Sequence, residues 1–275
     1  MEFDPVTSPE FYANARAYDI AFSDRDFVDE CNFLEWCLRT HGCVAEGVAP
    51  AFLELACGPA RHAREFARRG WRAVALDLSP DMLDYAREGA KRDGVVLETV
   101  AADMADFTLD PPVALAANLM ESLSHLVTNA QVVSHLKSVS RSLLRGGVFV
   151  IEMAHPSTIW RDSLPNTWLS RSTDVPYFAD EPYTEVDVLF GAADDPYDWI
   201  TQQWLVTARL TIREAGRPER VVEHRQPHRW YQTQELQALI DLAEAFSAVH
   251  WYGDMLIPPP PLDNDSGRMI VVLTK

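Results

Sequence analysis

Phe52-Leu-Glu-Leu-Ala-Cys-Gly-Pro-Ala-Arg-His62 decides the fold. A short apolar run carries Glu54, passes a tight turn over Ala56–Ala60 and opens a helix at Arg61, which is how a βαβ unit begins. Outward from it, short apolar runs at Ala51–Ala56, Arg72–Leu78, Val95–Val100, Val113–Asn118 and Val148–Met153 read as strands. Amphipathic stretches at Arg61–Arg69, Pro80–Lys91 and Asn129–Leu144 read as the helices between them. This alternation predicts right-handed crossovers and an α/β fold built on a Rossmann-like, doubly wound parallel sheet. Gly70, Gly94 and Gly146-Gly147 read as left-handed caps that end helices.

Beyond Pro156 the texture changes. Glu185–Phe190, Ile200–Ile212 and Glu219–Tyr231 are β-branched and aromatic without helical period, and turn residues at Asp194-Asp195-Pro196 and Gly216-Arg217-Pro218 separate them. They read as an antiparallel meander inserted late in the α/β domain. A helix at Thr233–Ala245 and strands at Ala248–Tyr252 and Arg268–Thr274 follow, the two strands pairing as an antiparallel terminal hairpin at one sheet edge. Upstream, Phe27, Cys31, Leu34 and Leu38 recur at helical spacing within Phe11–His41, and Gly42 stops the pattern. The expected organisation is an N-terminal helical segment (1–47), a core (48–160 and 230–275) and a β insertion (161–229) that serves as a lid or a homodimer surface.

The composition narrows the partners. The 275 residues carry a net charge of −17, with 47% hydrophobic and 24% charged residues, an ordinary globular balance. So negative a field repels phosphate backbones, which excludes nucleic acid as the expected partner and favours a small molecule. No apolar run approaches the roughly 20 residues of a membrane span, and the acidic start lacks the basic and apolar regions of a secretion signal. The expectation is a cytoplasmic chain without membrane association. Cys31, Cys37, Cys43 and Cys57 form no C-x-x-C pair and are expected to be buried, reduced thiols. His224 and His228 stand four apart on an expected strand with no matching carboxylate spacing, so no metal is expected.

The chemistry gathers at strand ends. Asp77 closes the second strand, where a carboxylate can accept from both hydroxyls of a ribose, and Ser79-Pro80 then caps and starts a helix. A dinucleotide would need G-x-G-x-x-G here, but the three positions hold Ala56, Gly58 and Arg61, and Pro59 removes an N–H. Glu54 before the turn disfavours pyrophosphate and suits the cationic end of S-adenosylmethionine. Asp103 and Met104 end the third strand, the acid placed to accept from an adenine amino group and the thioether to lie on its ring.

Glu54-Leu-Ala-Cys-Gly58, Leu76-Asp-Leu-Ser-Pro-Asp-Met-Leu83, Ala102-Asp-Met104 and Leu144–Gly147 resemble the motifs of class I S-adenosylmethionine-dependent methyltransferases. The closer resemblance is to small-molecule N-methyltransferases, particularly the aminosugar N,N-dimethyltransferases of natural product (macrolide) biosynthesis, over about Tyr18 to Trp160. It implies S-adenosylmethionine as cofactor, bound by Tyr18, Arg25, Glu54, Ala56, Gly58, Asp77, Leu78, Met82, Asp103, Met104 and Asn118. Tyr18 and Arg25 would close over the donor's methionine end, and Met82 is either adenine contact or helix core.

The resemblance places the acceptor near Glu121, Ser122 and His125, with Tyr18 beside them in the catalytic set. His125 is either a general base or a loop histidine bonded to backbone, and Glu121 either anchors a substrate ammonium or faces solvent. Ala60 replaces the family's last glycine, Glu121 its second serine, and Ala154-His155 its paired tryptophans after Glu152-Met153, so the acceptor pocket differs at His155. Arg229 and Trp230 are further substrate candidates, and Tyr12, Trp160, Trp168, Tyr177 and Trp199 are pocket walls or core. The expected activity is methyl transfer to nitrogen or oxygen of a small molecule. A non-catalytic donor-binding regulator and an NAD-dependent oxidoreductase are the alternatives.

Overall fold

The computed structural model describes residues 10–45, 47–159, 164–178 and 180–275. In chain order the elements are α1 (Glu10–Ala13), α2 (Ala15–Ala21), α3 (Phe27–His41), β1 (Ala51–Leu55), α4 (Arg61–Arg68), β2 (Arg72–Asp77), α5 (Pro80–Asp93), β3 (Glu98–Ala101), β4 (Val113–Asn118), α6 (Asn129–Ser142) and β5 (Leu143–Ala154). They continue with β6 (Asn166–Arg171), β7 (Thr184–Phe190), β8 (Tyr197–Asp198), β9 (Gln203–Glu214), β10 (Arg220–Arg229), α7 (Thr233–Ala243), β11 (Ala248–Tyr252) and β12 (Arg268–Thr274). The chain divides into two compact units, one of residues 26–159 and 231–275 and one of residues 1–25 and 160–230.

The first unit is the doubly wound sheet, in the order β11-β12-β5-β4-β1-β2-β3. Strands β3, β2, β1, β4 and β5 run parallel, while β12 is antiparallel to β5 and to β11, so the terminal hairpin forms the edge. Every residue of β1 and β4 is buried, as strands covered on both faces must be. Cys31, Phe33 and Leu34 of α3, Ala63 and Phe66 of α4, and Leu83 and Ala86 of α5 join Phe52, Ala75 and Val150 in one core. On the opposite face α6 sets His135 edge-on to Phe149, with ring centroids 5.5 Å apart. Ser79 accepts from the Met82 N–H ahead of Pro80 at the first turn of α5, and Gly94 closes that helix at φ +68°.

The second unit is an antiparallel sheet in the order β10-β9-β7-β6, with β8 pairing to β9. Phe11, Ala17, Ile20 and Ala21 from α1 and α2 bury themselves against Val186, Val188, Leu210, Ile212 and Val222. The Trp168 indole N–H donates to the Ala21 carbonyl at 2.7 Å, and Arg16 pairs with Glu181 at 2.6 Å.

Several expectations need correction. The helical run over Phe11–His41 breaks into α1, α2 and α3, with Asp26 capping α3 by accepting from Val28 and Asp29. Gly146 has φ +75° but lies inside β5, which begins directly after α6, so it is no helix cap. A Cβ there would fall 2.7 Å from the Cys43 backbone, which is why the bend needs glycine. The third strand starts at Glu98 rather than Val95, and Ile200 sits in the turn before β9, 92% exposed. Cys43 is exposed while Cys31, Cys37 and Cys57 are buried; all four are free, and burial pushes the three inner thiols up. Strand β6, paired to β7, adds a strand to the meander beyond the three its sequence pattern marks. No described helix is long and apolar enough to cross a membrane.

Candidate functional site: the carboxyl ends of the parallel strands

The registers Leu55↔Leu76, Leu55↔Asn118 and Asp77↔Ala101 bring the carboxyl ends of β1, β2, β3 and β4 side by side, where open α/β sheets bind ligands. Between β1 and α4 the chain reverses through three left-handed residues, Ala56 (φ +48°), Gly58 (φ +48°) and Ala60 (φ +55°). Three N–H groups of this turn are spent within the protein. Cys57 donates to the Leu76 carbonyl at 3.0 Å, Gly58 to Asp77 Oδ2 at 2.8 Å and Ala60 to the Cys57 carbonyl at 2.8 Å, while Pro59 has none. Three fewer donors are thus left to cradle a diphosphate.

Asp77 therefore fixes the turn and still presents a carboxylate. Its Oδ1 accepts from the Ser79 N–H at 2.8 Å. Burial pushes its carboxyl up, opposed by the N–H groups of Ser79, Gly58 and Leu78. Lone pairs on both oxygens remain for a vicinal diol. Leu78 follows as a residue 73% exposed, an unusual place for a leucine at a strand end. Met82 is buried in α5. Asp103 is exposed, with Oδ1 accepting from the Ala105 N–H at 2.8 Å.

Asn118 is fully buried, and its Nδ2 donates to Met104 Sδ at 3.2 Å. Its Oδ1 has no partner among the described residues. A buried acceptor left open at a strand end is available to a ligand's donor. With the diol-ready Asp77, this is a fit to an adenosyl donor and a misfit to pyrophosphate.

Glu54 has a different surrounding from the one its sequence position suggests. It is buried, with Oε1 2.9 Å from His62 Nδ1 and Oε2 accepting from the Ala63 N–H at 2.8 Å. His62 Nε2 lies 2.7 Å from Glu30 Oε2. Burial alone would push the imidazole down, but the two carboxylates outweigh it and hold it at about 9, so it is a cation at neutral pH. Glu54 thus anchors the start of α4 through an ion pair.

After β4 the backbone turns through Met120 (φ +54°) and Glu121 (φ +60°), then a 3₁₀ turn over Ser122–His125. Glu121, Ser122 and His125 are all half-buried on it. His155 is buried with both ring nitrogens engaged, by Ser157 Oγ at 2.7 Å and the Asp263 carbonyl at 3.0 Å.

Four candidates belong to the other unit. Tyr18 packs on Phe22, with centroids 4.5 Å apart, and Arg25 is half-buried. Arg229 is buried and donates to Gln202 Oε1 at 3.0 Å, and Trp230 stacks on Trp204 at 4.3 Å. Of the wall candidates, Tyr12, Trp168 and Tyr177 pack on the α1–α2 core, Trp199 is exposed, and Trp160 lies outside the described residues. His224 stacks on Phe11 and His228 packs against Phe190, both on strand β10.

Fold and strand-end site resemble those of class I S-adenosylmethionine-dependent methyltransferases. Residues 52–147 match the family described as a methyltransferase domain. Among curated proteins, the chain is 27% identical over 141 residues to a dTDP-3-amino-3,4,6-trideoxy-alpha-D-glucopyranose N,N-dimethyltransferase of Streptomyces venezuelae, covering 50% of this chain and 56% of that one. It is 29% identical over 140 residues to a dTDP-3-amino-3,6-dideoxy-alpha-D-glucopyranose N,N-dimethyltransferase of Streptomyces fradiae, covering 50% and 52%. The chain thus spans about half the length of the curated relatives it matches. Its fold is similar to that of an S-adenosylmethionine-dependent methyltransferase of Clostridium acetobutylicum, with a TM-score of 0.71 at 16% identity over 96% of this chain and 98% of that one.

Proposed function

We propose that the chain transfers methyl groups from S-adenosylmethionine to the amino nitrogen of a sugar carried on a nucleotide. The observation that carries the donor half is the turn before α4, three of whose N–H groups are spent on Leu76, Asp77 and Cys57 while Asp77 stays open to a ribose. The acceptor half is supported by the names of the two Streptomyces relatives, both N,N-dimethyltransferases of dTDP-linked 3-amino sugars.

S-adenosylmethionine supplies a methyl group already activated by its sulfonium. The protein's work is then to hold the nitrogen in line, exclude water and take up a proton. Asp77 accepts from the ribose hydroxyls, Asp103 accepts from the adenine amino group, and Leu78 and Met104 cover the ring. Asn118 Oδ1 accepts one further hydrogen bond from the donor. An ammonium must lose its proton before it attacks, and His125, an imidazole on the loop after β4, takes it. Glu121 on the same loop attracts the incoming amine.

The test is incubation with S-adenosylmethionine and dTDP-3-amino-3,4,6-trideoxy-α-D-glucopyranose, with products read by mass spectrometry. One or two methyl groups on nitrogen, matched by equal S-adenosylhomocysteine, is the expected result. Methylation on oxygen overturns the nitrogen assignment. Tight S-adenosylhomocysteine binding with no transfer to any amino sugar overturns the catalytic reading in favour of a donor-binding regulator.

A further inference from the structure

The proposed mechanism assigns no task to Glu152, yet its carboxylate is the side chain on which the loop after β4 hangs. Its residue is 4% exposed on β5, one position beyond the Asn118↔Ile151 pair that ends the β4–β5 register. Here the backbone leaves β4 through two consecutive non-glycine residues in the left-handed region, Met120 and Glu121. That conformation disfavours any residue with a Cβ and persists only where surroundings impose it. Glu152 imposes it twice. Its Oε2 accepts from the Met120 N–H at 2.9 Å, and its backbone carbonyl accepts from the Glu121 N–H at 3.3 Å.

The carboxylate is itself held. Its Oε1 lies 3.1 Å from Arg268 Nη1 on β12, and the same nitrogen lies 3.4 Å from Glu30 Oε1. Glu30 reaches His62, and His62 reaches Glu54 at the donor turn. One chain of charged groups, formed entirely within the first unit, therefore runs from the start of α4 to the loop carrying Glu121, Ser122 and His125.

We infer that Glu152 is a positioning residue for methyl transfer: it clamps Met120 and Glu121 in their left-handed turn and so sets where Ser122 and His125 meet the acceptor. The inference rests on the proposed function for its kinetic consequence, but not for the clamp itself. Glu152→Leu removes the acceptor for the Met120 N–H at nearly constant volume, and Glu152→Gln keeps one carbonyl oxygen that can serve Met120 or Arg268 but not both.

Hydrogen exchange of peptides spanning 119–126, with S-adenosylhomocysteine bound, reads the clamp without any acceptor. Exchange there should quicken about tenfold or more in Glu152→Leu and less in Glu152→Gln, with the β1–α4 peptides unchanged. In methyl transfer to the amino-sugar nucleotide, kcat should fall about 10²-fold while S-adenosylhomocysteine affinity stays within about threefold. Adding Met120→Gly, which holds a positive φ without strain, should recover part of that loss. Unchanged exchange in both variants overturns the clamp. A fall in donor affinity parallel to kcat, or no recovery with Met120→Gly, overturns the positioning role. If the wild-type protein transfers no methyl group, the proposed function falls, and the exchange result still decides the clamp.

Discussion

Raising the pH should unpick the Glu30–His62–Glu54 link, with an effect large enough to measure. His62 is fully buried between two carboxylates and holds its proton to about 9, against an ordinary value of 6.5. A group bound more tightly by protons in the folded state stabilises the fold fully below its unfolded value and loses that contribution as pH rises through the folded one. The window is therefore 6.5 to about 9. At about 1.4 kcal/mol for each tenfold change in proton affinity, the whole contribution is about 3 kcal/mol, of which about 2 kcal/mol disappears between pH 6.5 and pH 8.5. His135 is pushed down to about 4 by burial and titrates on the acid side, and the buried thiols of Cys31, Cys37 and Cys57 erode stability only near and above their ordinary 9.0. Urea unfolding at intervals of pH, for the wild type and for His62→Gln, reads the effect directly. The wild type should lose about 2 kcal/mol across the interval, and the variant should start lower and stay flat. A flat wild-type profile, or an equal slope in the variant, refutes the buried imidazolium.

Three further outcomes follow from packing and backbone. Ala60→Gly relieves a left-handed alanine at φ +55° and should raise stability by about 0.5–1 kcal/mol, seen as a Tm higher by a few degrees; a lower Tm would mean the buried methyl contributes more than the strain costs. Gly89→Ala should destabilise by about 1–3 kcal/mol in urea, because the new Cβ would sit 2.5 Å from Arg64 Nη1 while Asp93 holds that guanidinium at 2.5 Å; unchanged stability would show that Arg64 swings aside. His135 donates from Nδ1 to the Met104 carbonyl and is favoured neutral, so the fold should lose stability as pH falls from 6.5 towards 4. His135→Phe should abolish that acid-side loss, and a loss retained in the variant would assign it to other groups.

The strands and helices of the sheet were legible because the signals that mark each of them are local. Ser79-Pro80 starts α5 at the position its residue types dictate, and β4, β11 and β12 span the very residues their apolar runs mark out. Strand β6 was hidden because Asn-Thr-Trp-Leu-Ser-Arg lacks alternation, and only Trp168 and its neighbours' pairing to β7 make it a strand. Gly146-Gly147 misled because glycine marks a bend without saying whether helix or strand follows. At the site, Asp77, Asp103 and Asn118 were readable as the last polar residues of apolar runs. The links Glu30–His62 and Arg268–Glu30 were not, since their partners stand 32 and 238 residues apart and periodicity says nothing of such pairs. A signal did exist. Glu30 falls on the apolar stripe of α3, three after Phe27 and four before Leu34, and a carboxylate on a core face must find a partner.

Calorimetric titration of S-adenosylhomocysteine into the wild-type chain and into Asp77→Asn puts the donor crevice to its hardest test. The geometry predicts one site per chain in the wild type and affinity reduced about tenfold or more in the variant, since the amide loses charged acceptance of the diol and leaves one of the Gly58 and Ser79 N–H groups without its acceptor. NAD(H) should give no heat with either protein. Equal affinity in both proteins, or heat only with NAD(H), would contradict the account.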